Sequence, residues 1–117
     1  MENKNWIYAE NLADSGCVGF CKAIEIAKPV KSAEVTATAL GIYNLYINGK
    51  KVGDALFKPG WTSYNYRLQY QRYDITNYLK SGENEICFLC APGWAVGYLG
   101  KGNINHTYAE HISLTSR

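Results

Sequence analysis

Hydrophobic and polar positions along this chain alternate with a period of two far more often than with the 3.6-residue period of a helix. Ala23-Ile24-Glu25-Ile26-Ala27 alternates until Lys28-Pro29 stops it. Over residues 33–40 the alternation is clean. Ala33, Val35, Ala37 and Ala39 stand against Glu34, Thr36 and Thr38, which predicts a strand with one buried and one wetter face. Residues 43–47 form a further run that leads into Asn48-Gly49. Both central residues of a type I′ turn need positive φ, so this pair predicts a hairpin with Lys50-Lys51-Val52-Gly53 as its short return strand. A loop punctuated by Pro59-Gly60 follows, and residues 67–74 then alternate again. Residues 76–80 predict a single helical turn, with Thr76 as N-cap and Gly82 as terminator. Residues 85–91 are almost continuously apolar and predict a strand buried on both faces. Pro92-Gly93-Trp94 ends that strand, residues 97–105 read as loop, and residues 108–114 read as a last strand in which Ala109 and Ile112 are out of phase.

Six or seven short strands separated by Gly- and Pro-marked turns predict an all-β fold, an antiparallel β-sandwich or jelly roll. At 117 residues the chain has room for one domain, residues 1–117, with a core large enough to fold without staples. Composition adds one point: 10 Tyr, 3 Trp and 3 Phe are a surplus that suits strands, cores and the C–H faces of sugars alike. The net charge of +2 comes from scattered residues rather than a basic stripe, which argues against a nucleic-acid partner. The start, Met1 to Trp6, has no basic-then-apolar leader and no run approaches a membrane span, so a native start would mean a cytoplasmic protein and no membrane partner.

Four cysteines raise the question of a metal. Cys87 and Cys90 lie three apart in a strand-like run, where their side chains point to opposite faces and cannot converge on one ion. With no secretion signal, the expectation is four reduced, mostly buried thiols, including Cys17 and Cys21, and no metal site. His106 and His111 flank the last strand without a nucleophile motif. A glycosidase needs two carboxylates across a sugar. Asp54, Asp74, Glu83, Glu85 and Glu110 all have turn, cap or surface explanations, so no catalytic residue is expected in the chain.

Several stretches together resemble one family. They are residues 40–54 around Tyr46-Ile47-Asn48-Gly49, then Pro59-Gly60-Trp61-Thr62-Ser63-Tyr64, residues 67–76 with Tyr73-Asp74-Ile75-Thr76, residues 79–84 with Ser81-Gly82-Glu83-Asn84, and Gly93-Trp94 with Gly97. Their order and spacing resemble the N-terminal β-sandwich module of bacterial α-L-rhamnosidases. A looser subset, the Asn-Gly hairpin, Asp-Ile-Thr and Gly-Glu-Asn, is similar to the galactose-binding-like jelly roll of β-galactosidase-like enzymes. The resemblance implies a parent enzyme that hydrolyses terminal α-L-rhamnosides, with its catalytic groups in a downstream (α/α)₆ barrel. It implies further strands beyond Arg117 and hence an open strand edge through which the chain would self-associate. Related modules in some members bind rhamnose with calcium, but no calcium-ligand set can be matched here, so no cofactor is expected. Trp61, Tyr64, Trp94 and Tyr98 sit on Gly- and Pro-rich loops and are the candidate ligand-binding residues. Two roles compete for them: packing beside the catalytic barrel, or stacking on a rhamnosyl or related glycan as a carbohydrate-binding module.

Overall fold

The computed structural model describes residues 5–10, 16–61, 66–97, 109 and 111–117. Among these, eight strands form two four-stranded antiparallel sheets, as the period-two pattern predicts. The strands are β1 (Ile7–Tyr8), β2 (Val18–Ile26), β3 (Glu34–Leu40), β4 (Ile42–Ile47), β5 (Lys50–Lys51), β6 (Gln71–Asp74), β7 (Gly82–Ala91) and β8 (Ser113–Ser116). One sheet has the order β1-β8-β3-β6 and the other β2-β7-β4-β5. Between them lies the core, with Ala37 and Ala39 of β3, Leu45 and Ile47 of β4, Phe88 and Cys90 of β7 and Leu114 of β8 all buried.

The Asn48-Gly49 turn forms as expected: φ is 51° at Asn48 and 79° at Gly49, and β4 and β5 pair across it. The Asn48 side chain does more than suit the turn. Its Nδ2 donates to Asn84 Oδ1 (2.9 Å) and the Tyr78 carbonyl (3.1 Å), and its Oδ1 accepts the Glu85 N–H (2.9 Å). Asn84, with 1% exposure, accepts the Lys80 N–H and donates to the Lys80 and Gly82 carbonyls. Two amides thus tie the hairpin to the turn entering β7, leaving no orphaned polar atom on either side chain.

Four expectations need correction. β7 is not buried on both faces: Asn84, Phe88 and Cys90 face the core, whereas Glu83, Glu85 and Leu89 are exposed. The strand expected over residues 67–74 shrinks to Gln71–Asp74, because beyond Ala37 the β3 ladder gives way to a side-chain bond from Thr38 Oγ1 to the Gln69 carbonyl (2.6 Å). The helical turn is a 3₁₀ turn, Thr76–Tyr78, and Thr76 is not its cap. Instead Asp74 Oδ1 accepts both the Thr76 N–H (3.0 Å) and the Thr76 hydroxyl (2.6 Å), while Thr76 Oγ1 accepts the Ala33 N–H (3.0 Å). Those bonds hold the Asp74 carboxyl below its usual value, the Thr76 hydroxyl contributing more than the Thr76 amide.

The cysteines are the fourth. Cys21 and Cys87 face each other in the β2–β7 ladder, Cα atoms 4.1 Å apart, and are joined by a disulfide. Adjacent-motif spacing conceals such a pair, because its members come from strands 66 residues apart. Cys87 and Cys90 do point to opposite faces: Cys90 is buried, and burial, then the nearby Cys17, pushes its thiol up to about 12. Cys17 is exposed.

The last strand lies inside its sheet, with Ser113 and Leu114 paired to β1 and the full strand to β3. Ala109 is out of phase because it precedes the strand, donating instead to the Ala95 carbonyl. Among the described residues the longest open edge is that of β2, which pairs only with β7. Beside it the sheets part into a cleft of about 460 Å³, lined by Ile7, Phe20, Lys22, Ile24, Ile86 and Leu114 among others.

Candidate functional site

Three aromatic side chains meet at one end of the sandwich, and two local devices put them there. The first is the segment returning from β5. Gly53 (φ 75°) turns the chain out of the hairpin, and the chain comes back beside β4, where the Tyr43 N–H donates to the Lys58 carbonyl (2.9 Å). Lys58 and Pro59 are buried at this contact. Their neighbours Phe57, at φ 55°, and Trp61 are turned outward.

Lys58 is the unexpected member. It is 4% exposed, and its Nζ has no hydrogen-bond partner among the described residues. The ammonium lies 5.4 Å from the ring centre of Tyr43 and 5.1 Å from that of Tyr73, a cation held by two π faces. Beneath it the Tyr43 hydroxyl donates to Gln71 Oε1 (2.7 Å) and lies 3.0 Å from the Tyr73 hydroxyl. Burial, then the bond to Tyr73, holds the Tyr43 phenol far above its ordinary value, so it serves as a neutral strut.

The second device is α1 (Gly93–Val96), a single turn whose Ala95 and Val96 are buried while Trp94 faces the loop. Gly93 sits at φ 55°, and a Cβ there would lie 2.8 Å from Ile42 Cγ2 and 3.1 Å from the Gly41 carbonyl carbon. Only glycine lets this turn approach the start of β4 closely enough to bring Trp94 to the cluster. Trp94 and Trp61 stack nearly parallel, 5° apart with centroids at 6.2 Å, and the Phe57 edge meets Trp94 at 5.9 Å.

Of the four candidate residues, the structure brings Trp61 and Trp94 together; Tyr64 and Tyr98 lie outside the described residues. Phe57, Leu56 and Leu89 extend the same surface and were not singled out by sequence. Leu56 is 70% exposed, Phe57 61% and Trp61 58%, and Leu56, Phe57 and Leu89 border a small cleft of about 190 Å³. Among the described residues this surface is mostly apolar, with Asn44 a polar side chain at its edge. The positive φ of Phe57 explains why it was missed: alternation says nothing of a bulky residue held in the left-handed region.

The described carboxylates gather at most in pairs: Glu34 stands opposite Asp74 in the β3–β6 ladder and Glu25 opposite Glu83 in the β2–β7 ladder, all four exposed. Asp74 ends β6 in one sheet, and Glu83 and Glu85 lie on the outer face of β7 in the other. His111 stacks on Tyr8, centroids 5.0 Å apart, while His106 and Glu110 lie outside the described residues. No three His, Cys, Asp or Glu side chains converge among the described residues.

Residues 28–117 match the profile of a family described as the alpha-L-rhamnosidase N-terminal domain. An alpha-L-rhamnosidase of Streptomyces avermitilis is 41% identical over 90 residues, which is 77% of this chain and 9% of that protein. The crystal structure of native α-L-rhamnosidase from Aspergillus terreus superposes with a TM-score of 0.91 at 32% identity, over 98% of this chain and 14% of the other. That of the Streptomyces avermitilis enzyme complexed with L-rhamnose superposes with a TM-score of 0.81 at 36% identity, over 87% of this chain and 10% of the other. The chain therefore spans only about a tenth of the length of these relatives.

Proposed function

The chain belongs to the α-L-rhamnosidase N-terminal domain family, and from that premise we propose that it is a non-catalytic accessory module of a rhamnoside-hydrolysing enzyme, docked on the catalytic part through its aromatic end. One observation carries the reading: the exposed apolar side chains of Leu56, Phe57 and Trp61, joined through the half-buried Trp94 and bordered by Leu89. Contiguous exposure of this kind on a small domain marks an interaction surface. Among the described residues its lining is that of an interface centre, rich in aromatic groups and poor in charge. The catalytic acid and base then lie elsewhere in the enzyme.

A second reading has its own observation in favour. Trp61 is well exposed beside its parallel partner, and an exposed indole ring is the platform a pyranose uses. Against it stands the shortage, among the described residues, of polar groups to hold the sugar hydroxyls.

Three measurements on the chain separate these readings. Incubation with an aryl α-L-rhamnoside should release no aglycone; turnover would overturn the non-catalytic reading. Titration with L-rhamnose, with and without calcium, should leave tryptophan fluorescence unchanged. A saturable change abolished by Trp61→Ala would transfer the role to sugar binding. In a full-length family enzyme carrying this module, Phe57→Ser with Trp61→Ser should speed proteolytic separation of the module; unchanged cleavage would refute the docking role.

A further inference from the structure

We propose that the open edge of β2 is a strand-addition site, which takes an extended segment of a partner polypeptide carrying a carboxylate between apolar residues. The site does not rest on the docking reading above and does not use the aromatic end.

Register leaves the edge ready to pair. Cys21 and Cys87 stand opposite each other with Cα atoms 4.1 Å apart, the close spacing of a pair that exchanges no backbone hydrogen bonds. Every second residue shares that phase, so Gly19, Cys21, Ala23 and Glu25 turn their N–H and C=O groups away from β7. All four residues are exposed, and on that side β2 has no neighbour among the described residues. The alternate residues Phe20, Lys22 and Ile24 bond to β7 and send their side chains into the cleft of about 460 Å³ between the sheets. Ile86 and Leu114 line the same cleft. A strand added here would complete the ladder with its backbone and fill the cleft with every second side chain, the two-part recognition of strand addition.

Lys22 sets the chemistry. It stands at the centre of β2, opposite Ile86, and has no ion-pair partner among the described residues. The carboxylates on neighbouring elements are turned elsewhere. Glu25, Glu83 and Glu85 stand on the other face of the sheet. Glu10 lies past Tyr8, beyond the opposite end of β8 from Ser116. The terminal carboxylate at Arg117 accepts the Thr36 N–H on the β3 flank. A strand laid along this edge takes water from Lys22, and an ion so covered needs a partner. A second copy cannot supply one. In a closed two-fold antiparallel pairing of β2 with β2, inner faces coincide, so Lys22 meets Lys22 or an apolar residue and never Glu25. The occupant is therefore a different polypeptide, with a Glu or Asp side chain opposite Lys22 and apolar side chains two residues to either side.

The test adds to the ¹⁵N-labelled chain a nine-residue peptide that alternates valine with threonine and has glutamate at its centre. Chemical shifts should saturate with a midpoint at about 1 mM or below. Amide exchange should slow about tenfold at Gly19, Cys21, Ala23 and Glu25, and stay unchanged at Phe20, Lys22 and Ile24. Exchanging the glutamate with the threonine before it turns the carboxylate to the other face and should weaken binding about tenfold, as should Lys22→Gln, the loss expected for one charge-assisted contact. Lys22→Glu should reject the glutamate peptide and accept a lysine-centred one, whereas Trp61→Ser should change nothing. Absence of saturable shifts, protection at the alternate amides, equal binding of the exchanged peptide, or indifference to Lys22→Gln would each overturn the site. So would a dimer of the chain alone, seen in sedimentation, that protects the same four amides.

Discussion

Lys58 offers the sharpest test of how the aromatic end is held. Replacing it with methionine keeps an unbranched chain of similar length and deletes the charge. The ammonium gains from two tyrosine faces, at 5.4 and 5.1 Å, and each such contact is worth about 0.5–2 kcal/mol when desolvated. Against that stands removal from water with no hydrogen-bond acceptor, a penalty of several kcal/mol for a buried ion even after relaxation. Methionine recovers part of the aromatic contact through its sulfur, about 0.3–1.5 kcal/mol. The balance favours the variant, and Lys58→Met should raise unfolding stability by about 1–3 kcal/mol. Lys58→Ala, which also removes the charge but leaves a cavity, should lie about 2–5 kcal/mol below Lys58→Met, the range for large buried apolar side chains cut back to alanine. Urea titration followed by circular dichroism measures both, with the slope expected unchanged. If Lys58→Met is destabilised by more than about 1 kcal/mol, the cation–π energy outweighs desolvation and the reasoning fails.

Other outcomes follow from the bonds described. Asn84→Ala strands the Asn48 amide and the turn groups at Lys80 and Gly82, and should cost about 3–5 kcal/mol in the same urea assay, since each unsatisfied buried group costs about 1–3. The cysteines should alkylate in order by mass spectrometry: Cys17 in the native oxidised chain, Cys21 and Cys87 after mild reduction, and Cys90 only on unfolding, its thiol staying protonated well past neutral pH. Replacing Cys21 and Cys87 together by alanine should lower stability by about 2–4 kcal/mol, because the bond closes a long loop. Asp74 titrates below its unfolded value, so its contribution is present above about pH 4 and fades as pH falls through the folded value. Thr76→Ala should return the Asp74 pKa, read by side-chain NMR, to the ordinary range and remove that part of the acid sensitivity.

The sandwich was legible because alternation and turn chemistry are local. Residues 33–40 and 42–47 announce a core face, and Asn48-Gly49 announces its hairpin, with no knowledge of the rest of the chain. The features that escaped depend on partners distant in sequence. Leu89 looked like half of a doubly buried strand, since the run around it shows composition but not which face lies beneath a second sheet. The disulfide needed the β2–β7 register, which alternation alone does not give. Trp61 and Trp94 were recognisable as loop aromatics, yet their stacking depends on the approach of Gly93 to Ile42. Lys58 could not be suspected at all: a lysine beside Pro59 reads as a solvated loop charge until two tyrosines from other strands close over it.

The cleft beside β2 bears on how this fold avoids sticking to itself. Its lining of Ile7, Phe20, Ile24, Ile86 and Leu114 would welcome almost any apolar strand along an edge nine residues long. Lys22 lines that mouth from the centre of the edge strand, opposite Ile86. A newcomer must either hydrate that ammonium or bring a carboxylate to meet it. The edge therefore acts as a gatekeeper, discouraging the uniform hydrophobic segments that seed aggregation while admitting a chain whose charge pattern answers its own.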